Sequence, residues 1–531
     1  MRKSRVAFVL FVICAVMALV NSAGAKSERP AASNIRLTPP APVFDDKERV
    51  AELMQRRERV AQSVGPQSFM ILFSTEPRVY TNDVDYPYRQ ENNLYYLTNL
   101  KQRGATLVLL PGNTKIREIL FMPRRNPGAE TWTGHMYSPE EANQLSGIRE
   151  IWQANEIEPF IKALRNRQPY RPKPENIFMS DLPRDMPLTN DHGFTQLFDA
   201  AAKGEAGLYT LMPGDGESRE YKQEQRFASE WARTASGYSV KSAWPIFTQM
   251  RLVKSPMELR LLQHAVDISI EAHQRAWAGA GDAKWEYEVD AVMAYTFKLR
   301  NADNWGYPDI VGCGPNATTL HYEESQGPVK QGELLLMDVG AEYDHYTADV
   351  TRTFPVNGKF SPLQAAVYQI VYDAQEAVAN ASKPGASLSD VNRAGTEVIK
   401  DGLLKLGLIT DKNSMQHRVW FMHGTSHWLG MNVHDVGGAS KFVPGVVFTN
   451  EPGIYVRPDA LDQMPFGWKA EEWEKFKTAV RPAFEKYKGI GVRIEDDMVI
   501  TADGVRWMTE ALPRKISDIE DFIAKARRQS E

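Results

Sequence analysis

Four acidic side chains sit inside runs whose neighbours are apolar and whose spacing is that of β-strands: Asp338 in Glu333–Gly340, Asp349 in Tyr346–Pro355, Glu451 in Gly445–Glu451 and Glu495 in Gly491–Ile500. The first two runs are joined by a polar turn containing Glu342, Tyr343 and Asp344, so they predict a hairpin. A turn centred between residues 343 and 344 would set Asp338 opposite Asp349, with Cβ atoms about 4.5–5.5 Å apart. Two carboxylates that close, flanked by Leu334, Leu336 and Val339, repel unless a cation neutralises them. In the later runs Val447, Thr449 and Glu451 share one face, as do Arg493 and Glu495. Imidazoles come from His423-Gly424-Thr425-Ser426-His427 and from His434. The former has the spacing of the zinc-protease HExxH but carries Gly424 where that motif needs its glutamate base.

Four carboxylates and one neutral imidazole give a site of about −4, which two divalent cations balance. Oxygen-rich ligation without thiolate suits manganese, and zinc or cobalt also fit. Two such ions about 3.5–4 Å apart activate water and polarise a carbonyl, as in aminopeptidases and phosphatases. Each residue also has a plain alternative. A lone strand Asp caps a turn or pairs with a lysine. His423 and His427 can be hydrogen-bonded core histidines. Arg493 with Glu495 can be a structural ion pair, with Asp496 and Asp497 facing solvent.

Those runs must be held by a scaffold, and 531 residues are too many for one core. Two domains of mixed α/β (α+β) class are expected: residues 43–238, then a catalytic domain over 239–531. In the first, Asp45–Ser63 has helical spacing while Phe69–Phe73 and Thr106–Leu110 read as buried strands. Ala200–Gly237, with a Gly-Asp-Gly break at Gly214–Gly216, reads as an insertion or linker. Ser255-Pro256-Met257-Glu258 is a helix start, with further helices near Trp285–Leu299, Pro362–Ala381 and Leu388–Leu406.

Apolar content of 43% with 24% charged residues is ordinary for a globular chain. Met1–Ala25 has the basic start, the apolar run Val6–Val20 and the Ala-Gly-Ala end of a cleaved secretory signal, so export to a periplasm or the extracellular space is expected. Cleavage removes Arg2, Lys3 and Arg5 and takes the formal charge from −4 to −7, which argues against nucleic acid as a partner. Residues 26–42, with four prolines, read as an extended leader rather than a packed element. Of the two cysteines only Cys313 survives cleavage, so no internal disulfide can form. No later segment is apolar for long enough to span a bilayer. Sequons at Asn316 and Asn380 are of a kind frequent by chance.

In order along the chain, Met337-Asp338-Val339-Gly340, Thr347–Arg352, His423–Gly430, Glu451-Pro452-Gly453 and Arg493–Asp497 resemble the pita-bread metallopeptidases, and His423–Gly430 with Val433–Gly437 is similar to the Xaa-Pro aminopeptidase (aminopeptidase P) family. Tyr86–Gln90 and Asn93–Thr98 are similar to that family's amino-terminal domain. The resemblance implies a pita-bread catalytic domain with a smaller α/β amino-terminal domain, and a homo-oligomer. It implies Asp338, Asp349, His427, Glu451 and Glu495 as ligands of two divalent metal ions, with Asp349 and Glu495 bridging. His321, His423 and His434 would contact substrate and shuttle protons, Glu451 would double as general base, and Arg493 would orient the acids. Peptides with proline at the second position are the implied substrates. Asp459–Lys488 is longer than the family's usual connection, which leaves prolidase, acting on Xaa-Pro dipeptides, as the alternative; a metal-free binding module that has kept only the fold is the other.

Overall fold

The computed structural model describes residues 34–189, 193–212 and 220–528; the signal segment, the start of the leader and the Gly214–Gly216 break lie outside the described residues. The chain divides into two compact units. One holds Ser255–His434 and Lys441 onward together with residues up to Pro40, and the other holds Ala41–Lys254 with Asp435–Ser440.

The second of these is built on β1 (Ser68–Phe73), β4 (Thr106–Leu109), β5 (Glu118–Met122), β6 (Ile151–Gln153), β7 (Ile177–Met179), β8 (Ala206–Thr210) and β9 (Tyr238–Ser242), in the sheet order β7-β6-β5-β4-β1-β8-β9; the small hairpin β2 (Val79–Thr81) and β3 (Val84–Asp85) stands apart. The central run Ser-Phe-Met-Ile-Leu-Phe is buried along its whole length, which is why it reads as continuously apolar and not as alternating. Helix Asp46–Val64 lies where its spacing predicts, with Asp45 as N-cap. Ala200–Gly237 is more than a linker: β8 is an interior strand parallel to both β1 and β9, and Lys222–Thr234 is helical. The segment is polar because only one face of that helix is covered; Trp231, on that face, is fully buried.

In the catalytic unit, helix Pro256–Gly279 opens with the reciprocal Ser255/Glu258 cap that its sequence predicts. Helices Pro362–Ala381 and Leu388–Leu406 have the expected bounds and are capped in the same way by Ser361 with Gln364 and Ser387 with Asp390. The strands are β10 (Asn304–Trp305), β11 (Ile310–Cys313), β12 (Leu334–Asp338), β13 (Ala341–Tyr343), β14 (Tyr346–Thr347), β15 (Thr351–Pro355), β16 (Val447–Asn450), β17 (Gly453–Tyr455), β18 (Gly491–Arg493), β19 (Asp496–Ile500) and β20 (Val505–Trp507). They form two antiparallel ribbons. In the first, β12 pairs with β15 and β13 with β14; in the second, β16 pairs with β19 and β17 with β18. A bridge between Thr351 and Glu495 joins one ribbon to the other.

Two register expectations are corrected. Asp338 faces Thr351 and not Asp349, because the hairpin turns about Asp344-His345, both at positive φ (51° and 69°), the conformation of a two-residue type I′ turn. Asp349 is therefore displaced by two residues along the ribbon and stays on the same face. Gly491–Ile500 is not one strand: the ladder stops after Arg493 and resumes at Asp496, and Glu495 pairs instead with Thr351. Gly340, between β12 and β13, has to be glycine, since a Cβ there would lie 1.8 Å from the Ala348 carbonyl oxygen.

The leader is packed over its described part. Arg36 pairs with Asp267 at 2.8 Å, and the Thr38 N–H and hydroxyl donate to Glu271 at 2.7 and 2.6 Å. Glu271 has no exposed surface and needs these donors together with Arg275 and Arg300. Among the described residues no helix is long and apolar enough to cross a membrane.

Candidate metal centre

All nine side chains singled out above, Asp338, Asp349, His427, Glu451, Glu495, His321, His423, His434 and Arg493, line one cavity of about 360 Å³ in the catalytic unit. A larger hollow of about 600 Å³, lined by Met415 and by Trp468 and Phe476 of the long Asp459–Lys488 segment, has only Glu472 for an acid and no histidine. The chemistry therefore belongs to the smaller one.

Each ligand candidate arrives at the end or break of a strand, where the backbone ladder no longer dictates side-chain spacing. Asp338 closes β12, Asp349 precedes β15, Glu451 follows β16 and Glu495 occupies the gap between β18 and β19. His427 comes from the irregular segment ahead of β16, and its N–H is tied to the Thr449 hydroxyl at 3.0 Å. Asp349, His427 and Glu495 each direct one ligand atom to a common point, all within 4.8 Å of one another. His427 Nε2 lies 3.2 Å from Asp349 and 3.5 Å from Glu451, while its Nδ1 donates to the Trp428 carbonyl at 3.1 Å. That second contact fixes the tautomer with Nε2 toward the carboxylates, the arrangement of a metal-ligating histidine.

The electrostatics show a surplus of negative charge. Asp338, Asp349 and Glu495 are 7%, 4% and 2% exposed. Burial, then repulsion from Asp349, Asp338 and Glu451, pushes the Glu495 carboxyl well above its ordinary range. Burial raises Asp338 despite Arg493, and pushes Glu451 up to about 7. Burial works against a charge on His427, yet Asp349 and Glu451 raise its ring to about 9. Four acids thus share one guanidinium and one imidazole, and the donor set holds no thiolate, since Cys313 is buried away from the cavity. Such an oxygen-rich, nitrogen-poor set fits divalent cations.

Tyr307, Thr351 and Tyr455, to which the sequence reading gave no role at the site, help Arg493 hold this cluster. The Tyr307 hydroxyl lies 2.6 Å from Asp338 and 2.7 Å from Asp349. The Thr351 hydroxyl donates to Glu495 at 2.6 Å and accepts from Arg493 Nε at 3.1 Å. Arg493 grips Asp338 and donates to the Tyr455 hydroxyl at 2.9 Å, which lies 2.8 Å from His423 Nε2. His423 Nδ1 donates to the Gly424 carbonyl, and burial lowers this ring to about 3, so it is neutral with both nitrogens engaged. His434 packs edge-on to His427 at 4.5 Å, and burial lowers it too. Asp496 and Asp497 do not face solvent; both are fully buried. Asp497 accepts the Asp349 N–H at 3.1 Å, and Asp496 pairs with the fully buried Arg352 at 2.6 Å. They were misread because their acidity suggests a wet surface, whereas their partners lie about 150 residues away. Thr351 and Arg352 at least adjoin Asp349 in sequence; Tyr307 has no local signal.

Residues 260–502 match the model of metallopeptidase family M24, and residues 53–171 match that of the aminopeptidase P N-terminal domain. The chain is 32% identical to a Xaa-Pro aminopeptidase of Haemophilus influenzae over 484 residues, 89% of this chain and 97% of the relative. It is 32% identical to one of Escherichia coli over 489 residues, 90% and 98% of the two chains. Among solved structures, it is similar to a variant of Escherichia coli aminopeptidase P in complex with substrate, with TM-score 0.72 and 29% identity over 92% of this chain and 100% of that one. Proline aminopeptidase P II from Yersinia pestis gives 0.71 and 30%, over 91% and 100%. Likeness of this kind, running through both domains and nearly the whole length of the relatives, means that the chain belongs to metallopeptidase family M24 in its Xaa-Pro aminopeptidase (aminopeptidase P) branch, and is a metal-dependent aminopeptidase of the pita-bread fold.

Proposed function

We propose that the enzyme hydrolyses the bond between an N-terminal residue and a following proline, and that Asp338, Asp349, His427, Glu451 and Glu495 would hold two divalent cations, manganese foremost. The observation that carries this reading is the convergence of buried carboxylates on an imidazole whose Nε2 faces them. The names of the relatives support the substrate class. When bound, the cations would polarise the scissile carbonyl and make water a stronger nucleophile at neutral pH.

The chain's own groups do the remainder. Glu451 takes the proton of the attacking water, its carboxyl lying between His427 and His423. Arg493 and Tyr307 keep Asp338 from turning away. The neutral His423, fixed by Tyr455, lines the cavity as a substrate contact, while His321 and His434 serve substrate and the departing imino nitrogen. An Xaa-Pro amide has no N–H, so a site that needs that donor fails on it. Here the chemistry acts at the carbonyl side.

Purified enzyme with manganese should cleave an Xaa-Pro-Xaa tripeptide. Cleavage of an Xaa-Pro dipeptide alone would make it a prolidase. Turnover of neither, with no divalent ion removable by chelators, would leave a binding module. Export to a periplasm or the extracellular space belongs to the same proposal, supported by the composition of Met1–Ala25. N-terminal sequencing of the mature protein should begin at Lys26.

A further inference from the structure

His321 reaches the cavity on a loop, Gly314–Gly327, that has no regular structure beyond a 3-10 turn at Gly314–Thr318. A segment of this kind has no ladder to define it, and closing it costs entropy that some contact must offset. The contact is Glu286, at the start of helix Glu286–Leu299 and without exposed surface. Its Oε1 accepts the Cys313 N–H at 2.6 Å and Asn316 Nδ2 at 2.9 Å, and its Oε2 accepts the Gly327 N–H at 2.6 Å. Its own N–H donates to the Gly327 carbonyl at 2.9 Å. One carboxylate thus fastens both ends of the loop. Asn316 extends the tie by donating to the hydroxyl of Tyr322, the residue next to His321, at 3.0 Å, and that hydroxyl also accepts the Gln326 N–H at 3.3 Å. The sequon at Asn316 is therefore committed to an internal bond. Gly327 is glycine because a Cβ would stand 2.7 Å from Glu286 Oε2 and 2.3 Å from Asn316 Nδ2.

Burying a carboxylate is costly, and here the compensation comes from neutral N–H donors of the loop, which are good only while the loop keeps this shape. Asp338, Asp349, His427, Glu451 and Glu495 all come from other segments. We infer that Glu286 is a positioning residue for hydrolysis: it fixes His321 against the substrate by holding the Gly314–Gly327 loop, and does so without acting on the metal ligands. The inference rests on the reading of His321 as a substrate-facing group.

The test is a double-mutant cycle on the full-length enzyme with a manganese-supplied Xaa-Pro-Xaa tripeptide: Glu286→Gln, His321→Ala and both together. Glu286→Gln should lower kcat/KM about 10–100-fold, the scale of an ångström-level misplacement. It should leave the Mn²⁺ affinity of chelator-stripped protein within about threefold. The double variant should be no slower than His321→Ala alone, and the amides of Cys313 and Gly327 should exchange hydrogen faster. Additive losses, or Mn²⁺ affinity falling in step with activity, overturn the inference. An impaired His321→Ala beside a normal Glu286→Gln also overturns it while sparing the assignment of His321; a silent His321→Ala overturns both. If Glu286→Gln does not fold, Tyr322→Phe and Asn316→Ala, which each cut two of these hydrogen bonds and leave Glu286 bonded to the Cys313 and Gly327 amides, enter the same cycle with the same criteria.

Discussion

Replacing Arg352 by methionine tests whether the metal-site strands are clamped from behind. The guanidinium is fully buried and donates to Asp496 at 2.6 Å, to the carbonyls of Thr351 and Glu495 at 2.9 and 2.7 Å, and to those of Leu512 and Pro513 at 3.1 and 3.0 Å. Methionine matches its bulk but takes away the close ion-pair partner of Asp496, leaving only Arg514 at 4.0 Å. Breaking a buried pair from one side costs about 3–5 kcal/mol. Asp496 keeps Thr509 and Gln375 as donors, which favours the lower end, about 3 kcal/mol. At roughly 2–4 °C per kcal/mol the melting temperature of chelator-stripped enzyme should fall by about 6–12 °C in a calorimetric scan. Adding Asp496→Asn should restore part of the loss at pH 7, because the amide leaves no unpaired charge in the core. Because Glu495 loses a hydrogen bond at its carbonyl, Mn²⁺ binding should weaken by about tenfold. An Arg352→Met enzyme that melts within about 2 °C of wild type at pH 7 and binds Mn²⁺ equally would refute the clamp.

Asp349→Ala, which removes a proposed metal ligand, should abolish turnover and lower the Mn²⁺ content measured by atomic absorption, with chelated wild type regaining activity when Mn²⁺ is returned; undiminished metal content would contradict its assignment. Glu271 is held down to about 2, burial being outweighed by Arg300, Thr38 and Arg275. Its stabilisation is complete above about pH 4.5 and fades as pH falls toward 2, so Glu271→Gln should melt lower than wild type at pH 7 and converge with it near pH 2; a gap independent of pH counts against it. Glu224 is raised to about 8, chiefly by burial and then by Glu91 and Glu76, so it costs nothing below about pH 4.5 and increasingly more as pH rises to 8. Glu224→Gln should therefore raise the melting temperature at pH 8.5 and leave it unchanged at pH 4, and equal melting at both pH values would exclude a buried charge there.

The local signals in the sequence were strong. A Ser followed by Pro at the first helical position and Gln or Glu three residues beyond the cap defines where helices Pro256–Gly279 and Pro362–Ala381 begin, because those groups satisfy N–H donors that the helix cannot. Acids placed among strand residues named the four carboxylates, and the His-Gly-Thr-Ser-His segment named the imidazole, since such groups are too costly to bury without a compensating charge. What the chain alone left open was long-range. Whether Asp338 faces Asp349 or Thr351 depended on a shift in the turn that only the paired strands reveal. Asp496 and Asp497 looked solvated until Arg352 and the Asp349 amide, about 150 residues away, were found against them. Tyr307 and Glu286 lacked any neighbouring motif. Residue type records the cost of desolvating a charge, which is local, whereas the group that offsets that cost is chosen by chain topology and becomes visible only after distant segments pack together.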